Sequence, residues 1–406
     1  MVEVRTIADS ETEPYIAAVM QGFHKLPDPG DHAYYRPAID LDRTYGAFDG
    51  GAIVGTARSF ATPLTVPGPC ALPVAAVSNV TVRASHRRRG VLTEMMRQQL
   101  DEIARRGEAV AILIASEAPI YGRFGYGAAT QSVRIDVDAR HLQFAGPTPA
   151  GTVRFVDAQE FRAAAPVVYE RFRASQPGAI ERRPRWWDTA VGIAVRPGAE
   201  PLGFTAVHTG ADGDPSGYVR YAITEEWVGR AAASTLVVKD LVATTDASYE
   251  ALWRFVASVD WVVRIAADDR PALEPLRALV ADQRDVREVD RSDFLWVRVL
   301  DVAAALAARR YRVADRITVE VVDASRPQSG GRFTLDAGPD GATCIATSAA
   351  PDLTLSVADL GAAFLGSGPL WPAAAAGRLQ GHRPGAVDAF DRLFGSDRPA
   401  WCNTWF

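Results

Sequence analysis

The stretch Val80-Thr81-Val82-Arg83-Ala84-Ser85-His86-Arg87-Arg88-Arg89-Gly90-Val91-Leu92-Thr93 joins an apolar run to an amphipathic helix through a cationic turn. Beyond the turn, Leu92, Met96, Leu100 and Ile103 recur every three or four residues, the spacing of one buried helical stripe. The helix runs out at Arg105-Arg106-Gly107, with basic residues in its last turn and Gly just past it. A helix start leaves backbone N–H groups without partners, and the macrodipole adds partial positive charge there. Arginines at that place oppose the dipole by roughly 0.3–1 kcal/mol per exposed group, so an anion is the expected offset. Gly90 lets the backbone approach a ligand closely, and guanidinium forks match phosphate oxygens. A solvated charge run is the plainer alternative; the placement at a helix start argues against it. A pyrophosphate such as that of coenzyme A suits the turn better than a mononucleotide does, since the Gly-Lys-Ser/Thr ending of a P-loop is missing.

Working outward, strand-like runs precede the turn at residues 45–49, 52–61 and 75–82, separated by Asp49-Gly50-Gly51 and Pro67-Gly68-Pro69. A helical pattern over 12–23 leads into the loop KLPDPGDHAYYRP. After the helix, residues 109–115 (AVAILIA) read as a fully buried strand, and 131–137 is expected to close this unit. A linker, FAGPTPAGT, opens a second block of the same plan. Its helix is expected at 158–172, its strands at 203–208, 217–225 and 234–242, and its second helix at 249–259. Where the first block has its arginines the second has Thr244-Thr245-Asp246, an acidic turn that repels phosphate, so one cofactor site is expected and not two. A third block starts near Leu300 with a helix. Strands follow at 316–322, 331–336, 342–346 and 353–356, with helical segments at 357–365 and 371–379 and a tail from 388–394 onward. It ends in SDRPAWCNTWF, too aromatic for a frayed terminus.

A chain of 406 residues calls for two or three domains. The net charge of -5, with no basic stripe interleaved with aromatics, argues against a nucleic-acid partner. Cys70, Cys344 and Cys402 are scattered and free of metal-ligand spacing, so no metal is expected and a reducing, cytoplasmic setting is. The N-terminal residues lack the apolar core of a signal peptide, and no run is long enough for a membrane span.

The turn resembles the Q/R-x-x-G-x-G/A pyrophosphate turn of GNAT acetyltransferases: Arg87 and Gly90 match its first and fourth positions, and Leu92 stands where the last Gly/Ala does. With Ser116-Glu117-Ala118-Pro119-Ile120-Tyr121-Gly122-Arg123-Phe124-Gly125-Tyr126-Gly127 and the aromatic C-terminus, the chain resembles the Eis ("enhanced intracellular survival") family of actinobacterial N-acetyltransferases over essentially its whole length. The resemblance implies an α/β (α+β) chain of tandem GNAT folds followed by a sterol-carrier-protein-like α+β domain. The corresponding spans are 1–145, binding acetyl-CoA, 146–298, without cofactor, and 299–406. It also implies a homo-hexamer acting on amines, either small molecules such as aminoglycoside-like polyamines or protein lysine.

By the same resemblance, Val80, Thr81 and Val82 present backbone groups to the pantetheine and the acetyl carbonyl. Arg87, Arg88, Arg89, Gly90, Val91, Leu92 and Thr93 hold the pyrophosphate, and Ser116 and Glu117 make further cofactor contacts. A general acid is needed for the departing thiolate, and a tyrosine with an ordinary pKa of ~10 can protonate a thiolate whose conjugate acid lies near ~8.5. Tyr121 and Tyr126 both qualify chemically; the family pattern selects Tyr121. The base it implies is the α-carboxylate of Phe406. Ordinarily near ~3.3–3.7, that pKa would rise on burial among aromatics such as Trp401 and Trp405. A tail that merely packs is the alternative. The amine is expected to meet Asp28, Asp31, His32, Tyr34 and Tyr35 of the loop 28–36. Family members carry an acid before the terminal Phe; this chain has Trp405. A reading from another class makes the chain a lipid or acyl-CoA binding protein, with an apolar pocket in the third block; the retained arginine turn and Tyr121 argue against it.

Overall fold

Three sheets carry the chain in a computed structural model that describes residues 2–68, 70–199 and 202–406. The first is built, edge to edge, from β1 (Glu3–Thr6), β2 (Thr44–Asp49), β3 (Ala52–Val66), β4 (Cys70–Val82), β5 (Val110–Ile114), β16 (Leu295–Val299) and β6 (Gly127–Ala128). The second runs β15 (Val286–Asp293), β7 (Gln131–Asp138), β14 (Val262–Pro271), β13 (Ser234–Ala243), β10 (Pro215–Thr224), β9 (Phe204–Thr209) and β8 (Thr152–Phe155). A small hairpin, β11 (Trp227–Val228) with β12 (Ala231–Ala232), stands apart. The third sheet is β19 (Gly341–Ala346), β18 (Gly331–Gly338), β17 (Asp315–Val322), β20 (Leu353–Ser356) and β21 (Leu379–Gly381). Of the turn expected at 67–69, Pro69 lies outside the described residues.

Around the first sheet lie α1 (Thr12–Gly22), α2 (Asp31–Tyr35), α3 (Val91–Arg105) and α4 (Ala118–Tyr121). The stripe on α3 behaves as its spacing demands: Met96, Leu100 and Ile103 are buried against Ala75, Val77, Ala111 and Leu113 of β4 and β5. Each such burial stabilises by about 1.5–3 kcal/mol. Strands β4 and β5 pair in parallel only at Ala75↔Ala111 and Ala76↔Ile112. Past that point they part, and the cleft between them faces the start of α3.

The second unit repeats this plan. Its helices are α5 (Ala158–Ser175), α6 (Pro184–Ala190) and α7 (Asp246–Ala257), the last following β13 as α3 follows β4. Strands β13 and β14 pair in parallel from Ser234↔Val262 to Val238↔Ala267 and then part in turn.

Two expectations change. Residues 131–137 do not close the first sheet; they form β7, which pairs with β14 and β15 in the second. The place beside β5 is taken by β16, from the far end of the second unit. The segments holding β6–β7 and β15–β16 run antiparallel along one ribbon, from Ala128↔Trp296 to Val137↔Val286, so each sheet borrows a strand from the other's sequence. The physical reason is edge satisfaction: each open sheet needs a partner for its parallel strand, and one long ribbon serves both. Likewise the helical segment expected over 371–379 stops at Ala375, because Leu379 opens β21, where it pairs with Leu355 and covers the edge of β20.

The third unit is not a loose appendage. One buried cluster runs from Leu64, Val66, Val74 and Ile112 of the first sheet through Val297 to Val319, Leu355, Phe364, Phe390 and Cys402. Among the described residues no helix is long and apolar enough to cross a membrane.

Candidate active site

The parting of β4 and β5 opens a cavity of about 690 Å³. Strand β4 is bulged beside it: Thr56 pairs with Thr81 and Arg58 with Ser78, so Asn79 and Val80 together oppose Ala57. Asn79 takes the left-handed conformation the bulge needs, with φ of +55°, which Asn tolerates better than most residues. The Thr56 hydroxyl holds the bulge at 2.8 Å from the Asn79 carbonyl and 2.7 Å from the Thr81 hydroxyl. Val80, Thr81 and Val82 line the cavity together with Val77, Ser78 and Asn79. The end of α1 closes one side: a Cβ on Gly22 would lie 2.4 Å from that of Thr81, so only glycine allows the approach that brings Phe23 and His24 to the cavity wall.

The cationic turn sits at the other wall. Gly90 has φ of +79° and starts α3 with no side-chain cap, leaving the first-turn N–H groups to solvent or a ligand. Arg87, Arg88, Gly90, Val91, Leu92 and Thr93 line the cavity, while Arg89 does not. His86 also lines the cavity, its ring held by Asp49 at 3.0 Å and Ser85 at 2.9 Å. The equivalent turn of the second unit is sealed by its own side chain: the Thr245 hydroxyl accepts from the Ser248 N–H at 3.1 Å.

Ser116, Glu117, Ile120, Tyr121 and Arg123 complete the lining. Tyr121 is 8% exposed, and burial with the nearby Glu117 pushes its phenol up to about 12. Tyr126 sits behind it, fully buried, with the rings edge-on at 6.1 Å. Its hydroxyl has no partner among the described residues, and it does not reach the cavity. The sequence chemistry left both tyrosines open; they differ in access.

Trp405 and Phe406 enter the same cavity from the opposite end of the chain. The aromatics of the tail do not cluster around the terminus as the sequence suggested. Trp401 packs on Phe172 of the second unit, Trp405 on Phe294, and the Phe406 ring meets Phe60 of β3 edge-on at 5.8 Å. Phe60 itself lies under the guanidinium groups of Arg183 at 4.5 Å and Arg58 at 5.7 Å.

The loop 28–36 lines none of the cavities around the terminus. Its polar groups are spent on its own turn, on α1 and on the second unit. Asp31 accepts from the Asp28 N–H at 2.7 Å, His32 meets Thr12 at 3.1 Å, and Tyr34 meets Thr189 at 2.9 Å. The acids near the terminus come instead from β14 and β15. A second cavity, of about 720 Å³, shares Ile114, Ser116 and Trp405 with the first and is lined by Asp268, Asp269, Asp290 and Asp293, with Arg134 as its cation. Burial raises the Asp269 carboxyl, which accepts from the Trp405 indole at 2.6 Å. Sequence reasoning missed these four acids, along with Phe23, His24, Asn79 and Arg123. Only Asn79 left a local signal, a lone Asn inside an apolar strand.

Comparison with known proteins agrees with this layout. The acetyltransferase (GNAT) domain family matches residues 3–129, a second GNAT domain family matches 178–303, and the sterol carrier protein domain family matches 302–403. An uncharacterized N-acetyltransferase of Streptomyces avermitilis is 40% identical over 420 aligned residues, covering 100% of this chain and 99% of that relative. The N-acetyltransferase Eis of Mycobacterium tuberculosis is 37% identical over 363, covering 87% of this chain and 86% of its own length. The crystal structure of Eis1 from Mycobacterium abscessus superposes with a TM-score of 0.88 at 34% identity, each chain covered in full. A GNAT fold implies use of acetyl-CoA. With identity at that level along nearly the whole chain, and a fold matched end to end, this chain belongs to the Eis family of GNAT N-acetyltransferases.

Proposed function

We propose that the chain transfers acetyl from acetyl-CoA to a cationic amine, with Tyr121 as general acid and the Phe406 carboxylate as base. The observation that carries this is convergence: the uncapped start of α3, Tyr121 and Phe406, drawn from opposite ends of the sequence, line one cavity of about 690 Å³. The first-turn N–H groups of α3 with Arg87 and Arg88 suit the pyrophosphate, and the bulged edge of β4 suits the pantetheine arm. The Phe406 carboxylate takes a proton from the bound ammonium, freeing the lone pair that forms the new N–C bond. Tyr121 gives its proton to the sulfur as the C–S bond breaks, and its phenolate takes back the second proton that the acylated nitrogen sheds, leaving an amide and a free thiol. No metal is required. The acidic cavity beside Ser116 favours an acceptor with more than one positive charge, such as a polyamine-like small molecule or a lysine-bearing peptide. A homo-hexamer in a reducing, cytoplasmic setting completes the reading, on family resemblance.

The test is titration of acetyl-CoA by calorimetry, then thiol release over a panel of mono- and polyamines. Micromolar binding with amine-dependent thiol release supports the reading; binding without release for any amine sinks it. Two variants sharpen it. Arg88 sits at φ of +62°, which Asn tolerates, so Arg88→Asn removes the guanidinium without straining the turn. It should weaken acetyl-CoA binding about 10- to 100-fold, the value of one charge-assisted hydrogen bond. The double change Asp290→Asn with Asp293→Asn should raise KM for polyamines about 5- to 10-fold, with little effect on acetyl-CoA and a smaller effect at high salt. An unchanged polyamine KM would remove the acidic cavity from acceptor binding.

A further inference from the structure

The tail reaches the first unit's cavity by crossing the second unit, which holds it at several points. The Trp401 N–H donates to the Pro177 carbonyl at 2.8 Å, and the Gln176 side-chain amide donates to the Pro399 carbonyl at 3.0 Å. Both indoles anchor on Asp269, Trp401 to its carbonyl at 2.8 Å and Trp405 to its carboxylate at 2.6 Å. Between them sits Arg182, its side chain fully shielded from solvent.

Every N–H of that guanidinium is used. Nε donates to the Thr404 hydroxyl at 2.9 Å and Nη2 to the Asn403 carbonyl at 2.8 Å. The other donors go to the second unit: Nη1 to Asp240 at 2.6 Å and to the Tyr218 hydroxyl at 2.8 Å, Nη2 to Asp240 at 3.3 Å. The rings of Trp186 and Tyr169 lie 4.0 and 4.1 Å from the guanidinium carbon. Tyr169 also meets the Thr404 hydroxyl at 2.9 Å. Asp240 fixes the guanidinium and the guanidinium fixes the tail, two residues before the terminus.

The location adds a second argument. Asp240 lies on β13, and Asp269 and Arg270 lie on β14, just past the point where these parallel strands part. The small cleft there, about 100 Å³, is lined by Asp240, Leu241 and Asp269 together with Trp401, Asn403 and Trp405 of the tail. In the first unit the same parting of β4 and β5 makes the cofactor cavity. The second unit, whose helix start is sealed by Thr245, holds the chain's own tail where the first has its ligand cleft.

We propose that Arg182, braced by Asp240 and Tyr218, is a positioning residue for the terminal carboxylate, and that the ligand cleft of the second GNAT unit serves as the seat of the tail. The inference rests on the proposed role of Phe406 as base. A free chain end samples many conformations, and a base misplaced by about 1 Å costs on the order of 100-fold in rate.

Thr404→Val tests it, since it removes the hydroxyl at nearly constant volume and leaves the Arg182–Asp240 pair intact. The expected result is a kcat about 100-fold lower with KM for acetyl-CoA and its calorimetric affinity unchanged, and Thr404→Ser restoring the parent kcat. Arg182→Lys, which keeps the charge and loses the fork, should move kcat the same way. If Arg182→Lys does not fold, Thr404→Val decides. A parent-like kcat in Thr404→Val overturns the inference, and so does a loss that Thr404→Ser fails to restore. Deleting Phe406 separates the two readings. Full turnover without it removes the base itself, whereas a dead deletion beside a fully active Thr404→Val removes only the positioning role.

Discussion

One residue added after Phe406 should lower amine acetylation by about 100- to 10,000-fold, the usual worth of a general base, while acetyl-CoA binds as before. The added peptide bond turns the Phe406 carboxylate into an amide, which takes no proton at neutral pH. The new carboxylate starts about 3.8 Å further along the chain, beyond the geometry that the Phe406 ring and the bonds on Thr404 establish. The bulge at Asn79 and the start of α3, the proposed cofactor contacts, keep their own residues and backbone in the cavity that Phe406 shares. Thiol release with a saturating amine, measured beside calorimetry on the same extended protein, separates the two halves. Full turnover in the extended chain would take the carboxylate out of the mechanism.

Tyr121→Phe should cost about 100- to 1,000-fold in kcat, with acetyl-CoA affinity within a small factor of the parent. The direction of its shift matters. Burial and Glu117 push the phenol up to about 12, so at neutral and mildly alkaline pH it has a proton to give and Tyr121 contributes no loss of rate there. The same shift makes the phenol a weaker acid than an ordinary tyrosine, so its proton moves to sulfur in step with C–S bond cleavage, as negative charge builds on the departing thiolate. Tyr126→Phe is the control. That hydroxyl is buried without a partner among the described residues, so removing it relieves a desolvated polar group, and turnover should stay at the parent level. Equal losses in the two variants would show that the pair acts by packing alone.

The two proposed catalytic groups were legible to different degrees. Tyr121 follows a buried strand within a Gly-rich run, so the residue type and its place at a strand end are both local facts. The Phe406 ring and its neighbours were visible as an aromatic tail, but where that tail goes was not. The sequence suggested that Trp401 and Trp405 would surround the terminus; instead the three aromatics are handed to Phe172, Phe294 and Phe60, one in each of three separate segments. The loop 28–36 stands apart from these cavities for a similar reason. Asp28 and Asp31 looked available because their charges stand in a loop, yet they satisfy N–H groups of that loop. The acids that do line a cavity, Asp268, Asp269, Asp290 and Asp293, sit on strands, where sequence pattern gave them no special mark.

What the sequence determined alone is whatever fits inside one strand, one turn and one helix. The run 80–93 carries its own physics: a strand edge, a glycine at positive φ, arginines against a helix dipole, and a 3.6-residue stripe that buries the helix on the sheet behind it. The difference in the second copy was equally local: Thr244-Thr245-Asp246 stands in place of the arginines, and in the structure Thr245 caps the helix from within that turn. Only the tertiary structure decided which sheet took β7 and which took β16. Strand alternation specifies the face a side chain occupies but not the edge the strand joins, and two open edges competed for one ribbon. Nor could any local pattern join Arg182 to Thr404, 222 residues apart. That contact exists because the two strands β13 and β14 part, and the tail of the third unit is what fills the gap.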